Sequence, residues 1–413
     1  MFQKFLSKLK VIKLYNSFKV SEPVSQTAVE KVAKKRPTST TDVPEEKKPR
    51  LPARKKIALL AAYNGKGYYG LQINSGLPTI ESELFPALVK IGAWDQDQMD
   101  NPYNAWYQRG SRTDKGVSAC GQTFSMIVKL KHVPDIVDQL NANLPEQIRI
   151  LGYVKTTKGF DAKKWCDSRT YMYMTPTFAF ADIEQLVTED FRIDSGRLDK
   201  VRQVLQNFVG THNFHNFTSG VKYHERCANR YIIKWDVSEP FLREGMEFVT
   251  LRVKGQSFML HQIRKMVGIT VAIMRGYCGE DLIEKAYGPG HIDIPRTPGL
   301  GLVLEELHFS YYNKKWGSDG IHDKIEWEPI REAQAKFKEE KIISDIVAQE
   351  KVDKVTFKWL RRTNQMMDWG TGRNKNLPEW WITFLPFRKD YECEKRIVPF
   401  SEFESRPWYI RKQ

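Results

Sequence analysis

The chain has 413 residues, 41% hydrophobic and 28% charged, which is long enough for two or three domains with buried cores. Scattered cysteines without a CxxC pair argue against a disulfide framework or a cysteine-built zinc site and favour a reduced intracellular protein; they are Cys120, Cys166, Cys227, Cys278 and Cys393. No stretch approaches the roughly 18 uninterrupted apolar residues of a membrane span. The net charge of +15 favours a polyanionic partner such as nucleic acid.

Most of that charge lies in residues 1–55, which carry fourteen Lys and Arg against five Asp and Glu. The first twenty residues contain five lysines, no acid and apolar residues at helical spacing, as mitochondrial presequences do, although arginine is absent. Residues 21–52 lack apolar periodicity and predict disorder. Their clusters AKKRPTST and EEKKPRLPARKK are either solvated linker charge or a bipartite nuclear import signal. We therefore expect the protein to be localised in the nucleus and the mitochondrion.

Regular structure is predicted from residue 56 onward. The apolar run 57–63 predicts a buried strand ending in a glycine turn, and further strands are predicted in RILGYVKT, TYMYMTPTFAF, RYIIKWDV, EFVTLRVKGQSFM and LVLEELHF. Helices are predicted at 79–92, where a Thr and a Glu are placed to cap, and at 133–144, 195–210, 260–276 and 280–288. Because two groups of elements follow in similar order, we predict an α+β fold from two related halves, about 56–180 and 181–312, with one shared sheet.

Residues 313–413 differ in amino-acid composition from the residues before them. The stretch after Tyr312 is highly charged with helical spacing and predicts an appended helical extension. The last fifty residues are rich in Trp, Phe, Arg and Lys, and either pack on the main body or contact RNA.

The segment GKGYYG at 65–70 matches the GxGxxG pattern of dinucleotide-binding proteins. Such a site needs a helix that starts within the glycines, and the following LQINSG is no helix start. We predict instead a turn whose Tyr63, Tyr68 and Tyr69 pack or stack near a base.

The loop GSRTDKGVSACG at 110–121 is either a surface turn or a site. Asp-Lys-Gly is ordinary turn chemistry. However, the loop lies between the aromatic segment NAWYQRG and the apolar strand TFSMIVKL, which puts its aspartate near a sheet edge. Glycines at 110, 116 and 121 would let a bulky ligand approach the backbone.

Within this loop, RTDKGVSA at 112–119 resembles the signature of the TruA family of tRNA pseudouridine synthases. Other motifs of that family are matched in the same order by YNG and YGLQ at 63–72, FDA and RTYMY at 160–173, GTHNFHNF at 210–217, GQSFMLHQIRKMVG at 255–268 and PGLGLVL at 298–304. The matches span about residues 56–312. The resemblance implies a mostly antiparallel sheet, a central RNA-binding cleft and a reaction without metal or cofactor.

The resemblance also assigns the catalytic residues. The reaction breaks the N1–C1′ bond of uridine, rotates the uracil and joins C5 to C1′, with Asp114 acting at C1′ as nucleophile or base. Arg264 is expected to be the cationic partner of Asp114, and Tyr171 to stack on the uracil and help with the C5 proton. Without the motifs, Arg264 would be a helix-surface charge and Tyr171 a core aromatic. Strand alternation puts Tyr171 and Tyr173 on one face, so periodicity does not choose between them.

The expected RNA contacts are Arg112, Lys115, Tyr69, His212, His215 and Lys265. A uridine within a stem must leave the stack, and Arg112 would fill the vacated space or hold phosphate. Exposed Lys115 and Lys265 would contact phosphates. His212 and His215 lack a third ligand with metal spacing, so we prefer RNA contact or structural hydrogen bonding.

The expected partner is tRNA, in its anticodon-stem region, with snRNA or mRNA as further substrates and no membrane. Lys115 and Ser118 stand where the bacterial loop has Ala and His, which affects substrate range rather than catalysis. The extension after residue 312 could occupy the bacterial dimer interface and favours a monomer over a dimer. Two alternative functions are a non-catalytic tRNA chaperone, against which the intact Asp114, Tyr171 and Arg264 argue, and a nucleotide-dependent oxidoreductase, which depends on the GxGxxG match alone.

Overall fold

The computed structural model describes residues 54–185 and 187–371, with side chains described as far as Thr363. The predicted presequence and almost all of the basic segment lie outside the described residues, as do residues 372–413. The strands are β1 (Lys55–Tyr63), β2 (Gln108–Arg109), β3 (Ser118–Val128), β4 (Ile148–Lys155), β5 (Ser168–Pro176), β6 (Gly210–Asn213), β7 (Asn229–Val237), β8 (Phe241–Arg243), β9 (Met246–Gly255) and β10 (Leu302–His308). The helices are α1 (Ile80–Lys90), α2 (Gln96–Asp100), α3 (Ile136–Asn143), α4 (Ser195–Gln206), α5 (Gln262–Met274), α6 (Asp281–Tyr287), α7 (Ser310–Trp316), α8 (Arg331–Phe337), α9 (Ser344–Val352) and α10 (Val355–Thr371).

The ten strands form one sheet in the order β4-β1-β3-β10-β5-β9-β7-β6, with β2 beside β3 and β8 beside β9. All pairs are antiparallel except β3 with β10, which run parallel. The predicted α+β fold with a mostly antiparallel sheet is confirmed. The division into two halves stays a prediction, and β10, from the second half, lies between β3 and β5 of the first.

The centre of the sheet is covered on both faces. β1 and β3 are buried along almost their whole length, as their near-continuous apolar runs require. Helix α3 packs against β4, while α8 and the π-helical segment Lys338–Ile343 that follows it pack against β3 and β1. The charged extension is therefore helical, as predicted, and part of it covers the sheet.

Helix α1 begins at the predicted threonine, but its capping partner is a serine. The side chain of Thr79 accepts a hydrogen bond from the backbone N–H of Ser82, and the hydroxyl of Ser82 accepts one from the N–H of Thr79. The expected glutamate cap is wrong. Glu81 is fully buried and instead pairs with Arg109 and accepts a hydrogen bond from the hydroxyl of Tyr107.

The extension is tied to the main sheet by polar contacts. Lys338 pairs with Glu305 of β10 at 3.0 Å, and the side chain of Gln334 donates to the carbonyl of Cys120 at 3.0 Å. Lys66, after β1, pairs with Asp345 of α9 at 2.7 Å. None of the described helices is both long and apolar enough to cross a membrane.

Candidate active site

Asp114 lies in the loop between β2 and β3, and a second loop packs directly against it. A Cβ atom at Gly70 would lie 2.7 Å from the carbonyl oxygen of Thr113, and one at Gly65 would lie 2.4 Å from that of Val117. The GKGYYG segment is thus a turn, as predicted, and no helix starts in it. Its glycines permit two backbones to approach closely, which positions the aspartate loop.

Hydrogen bonds hold the same loop from beneath. The hydroxyls of Tyr63 and Thr113 share a buried hydrogen bond of 2.8 Å. The side-chain amide of Gln122 donates to the carbonyl of Ser111 at 2.9 Å, and its oxygen accepts from the N–H of Ser111 at 3.3 Å. Both residues that bracket Arg112 are therefore fixed, and the Asp114 side chain starts from a rigid backbone.

The three glycines of this loop do not all leave room for a ligand. A Cβ atom at Gly110 would lie 2.3 Å from the Cδ1 atom of Leu307, and one at Gly121 would lie 2.1 Å from the carbonyl oxygen of Glu305. The expectation of ligand approach is wrong at Gly121, where β10 fills the space, whereas Gly110 itself lines the cleft although no side chain would fit there. Gly116 faces open space and has φ +73°, which suits glycine.

The Asp114 carboxylate faces an arginine and a histidine at the start of α5. Its Oδ2 atom lies 3.9 Å from Nη1 of Arg264 and 3.7 Å from Nε2 of His261. The Asp114 side chain is 29% exposed and that of Arg264 13%. Arg264 also donates from Nε to the carbonyl of Thr297 at 2.7 Å, which fixes its plane. The structure therefore brings together Asp114 and Arg264, the pair expected from the sequence. They lie at ion-pair rather than hydrogen-bond distance.

His261 and Arg296 are site residues that the sequence analysis did not single out. His261 has a left-handed backbone, φ +64°, at the N-cap of α5, and Nη1 of Arg296 lies 3.1 Å from its Nε2 atom. Burial lowers the pKa of His261, while the nearby Asp114 carboxylate raises it. The signal was present, since His261 stands three residues before Arg264 in the same motif.

Tyr171 of β5 lines the cleft next to Asp114. Its hydroxyl shares a 2.7 Å hydrogen bond with the hydroxyl of Ser111, and its ring meets the ring of Phe258 edge to face at 5.3 Å between centroids. Burial raises the pKa of Tyr171, so the phenol is protonated at neutral pH. Tyr173, two residues along the strand, donates to the carbonyl of Pro298 and is not among the cleft-lining residues.

These residues line an open cleft of about 1040 Å³. Its described lining includes seven basic side chains, and Asp114 is the only acid among them; the basic residues are Arg109, Arg112, Lys115, Lys163, Arg169, Arg264 and Arg296. Such an excess of positive charge attracts a polyanion into the cleft.

Three of the predicted RNA contacts lie in the cleft. Arg112 is exposed, with Nη1 at 3.4 Å from the side-chain oxygen of Gln72. The ammonium of Lys115 lies 3.9 Å from the ring centroid of Tyr69, a cation–π contact at the rim. All three side chains are positioned to meet a ligand that enters the cleft.

The other three predicted contacts do not line the cleft. His212 lies within hydrogen-bond distance of the carbonyl of Val209 and stacks on Tyr287 at 4.3 Å, and Nδ1 of His215 lies 3.2 Å from the side-chain oxygen of Asn213. Lys265 is half-buried and donates to the carbonyl of Asn216, so its expected exposure is wrong. No group of three potential metal ligands occurs among the described residues.

Comparison with known proteins identifies the family. Residues 204–310 match the family described as tRNA pseudouridine synthase. The chain is 46% identical over 320 residues to the pseudouridylate synthase 1 homolog of Mus musculus, which covers 76% of this chain and 75% of that protein. It is 32% identical over 386 residues to tRNA pseudouridine synthase 1 of Yarrowia lipolytica, with 72% of each chain covered. The chain belongs to the tRNA pseudouridine synthase family, as the sequence motifs predicted. It is an isomerase that converts uridine in tRNA to pseudouridine.

Proposed function

We propose that Asp114 is the catalytic carboxylate of this isomerase and acts at C1′ of the target uridine. The observation that carries the proposal is that Asp114 is the only acid among the described residues of a cleft with seven basic side chains. Arg264, at 3.9 Å, serves as its counter-charge, because an ionised carboxylate in a partly desolvated site needs a cation nearby. Tyr171 stacks on the uracil.

The proposed reaction is balanced without an external reagent. The N1–C1′ bond breaks and the C5–C1′ bond forms, while the uracil ring loses the proton at C5 and gains one at N1. Asp114 acts either as nucleophile on C1′ or as base on the sugar. The Tyr171 phenol is protonated and shares a hydrogen bond with Ser111, so it would assist the transfer of the C5 proton to N1 as a hydrogen-bonding group rather than as a free phenolate.

Access to C1′ requires that the uridine leave its helical stack. Asp114 lies within the cleft, beyond reach of a base that stays paired in a duplex. Arg112, exposed two residues before Asp114, would occupy the vacated position or hold a phosphate. Lys115 and Tyr69 at the rim would contact the flanking backbone and base.

The Asp114→Asn variant tests this assignment. We expect it to lose pseudouridine formation on tRNA, mapped with carbodiimide, while it still binds tRNA, because only the reacting group has changed. The matched control is Asp199→Asn, at an exposed acid on α4 that pairs with Arg202. Full turnover by Asp114→Asn would disprove the catalytic role. Binding without turnover by the unchanged chain would instead favour an RNA chaperone.

The substrate range is proposed to include the anticodon-stem region of tRNA, and snRNA or mRNA. An open cleft with basic residues contacts phosphates, and such contacts carry no sequence information, which supports structured RNAs of more than one kind. Pseudouridine mapping in total RNA, with and without the protein, decides this. Modification confined to one tRNA site would contradict the wider range.

The nucleus and the mitochondrion are the proposed compartments, on the strength of the lysine-rich first twenty residues and the two basic clusters. Fluorescent fusions in which either signal is replaced by alanines should each lose one compartment.

A monomer is proposed because the helical extension packs against the sheet of its own chain. Sedimentation at two protein concentrations measures this directly.

A further inference from the structure

Two exposed aromatic side chains lie on the short turn before β2, and one of them lines the cleft. Tyr103 is 75% exposed and Trp106 is 56% exposed, in and just after the short helical turn Pro102–Ala105. Tyr103 lines the cleft, and so do Gln108 and Arg109, which follow Trp106 in β2. The flanking residues Ala105 and Tyr107 are buried, so the Trp106 ring projects from an anchored backbone.

The backbone of Trp106 is held in an unfavourable conformation. Its φ of 50° and ψ of 39° lie in the left-handed region, where a residue with a Cβ atom is disfavoured and glycine is usual. The N–H of Trp106 donates to the carbonyl of Tyr103 at 2.9 Å, and its own carbonyl accepts from the ammonium of Lys56 at 2.6 Å. Backbone strain of this kind clusters at ligand-binding and active sites.

Lys56 connects this aromatic pair to the basic wall of the cleft. Its side chain is buried, and burial lowers the pKa of Lys56 to about 8, an effect that the Asp161 carboxylate opposes. Oδ1 of Asp161 accepts hydrogen bonds from the N–H groups of Lys163 at 2.9 Å and Lys164 at 3.1 Å. Lys56 therefore holds the Trp106 backbone, and Asp161, whose charge acts on Lys56, holds the turn that carries Lys163 into the cleft.

We propose that Trp106 and Tyr103 form a stacking platform for unpaired bases of the tRNA beside the target uridine. Exposed rings interleaved with cations are the pattern by which proteins bind unstacked bases without reading their sequence. A protein partner would be expected to meet a wider apolar surface, whereas here Tyr103 lines the same cleft as Arg109, Lys163 and the other basic residues. The inference rests on the proposed use of this cleft for tRNA and names a further part of it.

The Trp106→Gly variant separates a binding role from a structural one. Glycine removes the ring and also relieves the left-handed strain, so we expect an unchanged or higher Tm. The Kd for tRNA should rise about ten-fold, within the range for loss of one stacked base. The dependence of log Kd on log salt should keep its slope, because no phosphate contact is lost. The control is Lys163→Ala, which should reduce that slope by about one.

Two further variants make the outcome decisive. Trp106→Phe keeps an aromatic face and should restore most of the affinity, and Tyr103→Ala, at the more exposed ring, should weaken binding without lowering the Tm. If Trp106→Gly lowers the Tm, its Kd no longer separates stacking from folding, and the Kd of Tyr103→Ala then decides whether the rings bind tRNA. Wild-type tRNA affinity in both ring-removing variants would overturn the platform. The Kd measurement does not depend on turnover. A failed platform would leave the Kd unchanged, whereas a failed catalytic assignment would show as retained activity of Asp114→Asn, so the two failures are distinguishable.

Discussion

The guanidinium of Arg264 bridges two parts of the site: Nε donates to the carbonyl of Thr297 at 2.7 Å, and Nη1 lies 3.9 Å from Oδ2 of Asp114. A lysine ammonium is a point charge and cannot keep both positions. We therefore expect Arg264→Lys to lower the single-turnover rate on tRNA about 100-fold, the usual loss for a misplaced electrostatic group.

The control for this change is Arg202→Lys, at an arginine of α4 that pairs with Glu239 and is not part of the cleft lining. Both variants replace a guanidinium, with its several N–H donors, by an ammonium, so they differ only in where the change lies in the structure. Equal rates for the two variants would show that Arg264 does not act on Asp114.

The glycine loop after β1 provides a matched pair of substitutions. Gly70 and Gly67 both have positive φ, +100° and +82°, so alanine strains the backbone at either position. A Cβ atom at Gly70 also collides with the carbonyl of Thr113, whereas one at Gly67 has nothing within 4 Å. Gly70→Ala should displace Asp114 and cost about 100-fold in rate, because misplacement by about 1 Å has that effect.

Gly67→Ala should instead lose only about 1–2 kcal/mol of stability. Thermal melts and single-turnover rates measured on both variants check the pair. A rate for Gly70→Ala that matches Gly67→Ala would mean that the two loops move independently.

Lys265 and Lys115 are predicted to differ in what they do. The Lys265 ammonium donates to the carbonyl of Asn216 at 3.0 Å, and burial lowers the pKa of Lys265. Lys265→Ala should cost about 1–3 kcal/mol of unfolding free energy, since it leaves a partly buried carbonyl unpaired. Lys115→Ala should cost little stability but reduce the salt slope of tRNA binding by about one. Denaturant unfolding and salt titration of tRNA binding are measured on both variants. A stability loss in Lys115→Ala together with a reduced salt slope in Lys265→Ala would contradict the prediction.

Glu350 of α9 makes the stability of the fold depend on pH. It is buried and accepts hydrogen bonds from the N–H and hydroxyl of Thr356, and burial raises its pKa from 4.5 to about 7. Between these values the folded state holds a proton that the unfolded state has lost. The stability contribution is therefore full below pH 4.5 and is lost as pH rises through 7.

Glu350→Gln keeps the acceptor and the shape without the charge. We expect the variant to be more stable than the wild type at pH 8 by about 3 kcal/mol and to lack the decline between pH 4.5 and 7. Glu332→Gln, at an exposed acid of α8, is the control. Parallel pH profiles of unfolding free energy for Glu350→Gln and the wild type would contradict the assignment.

Local patterns were sufficient for most elements of this fold. The apolar run of β1, the Thr79 cap of α1 and the helical period of α5 each express a period or a cap that neighbouring residues determine. The pairing of strands was a different matter. That β10 lies parallel to β3 and between β3 and β5 depends on contacts between distant segments, which no local period encodes.

The site divides in the same way. The family motifs in the sequence were enough to single out Asp114, Tyr171 and Arg264. Only the tertiary structure decided that His261 faces Asp114 and that Lys265 is held by a carbonyl instead of facing solvent. The physical reason is that charge, burial and hydrogen bonding depend on distances of a few ångströms between residues far apart in the chain, and those distances exist only once the sheet has formed.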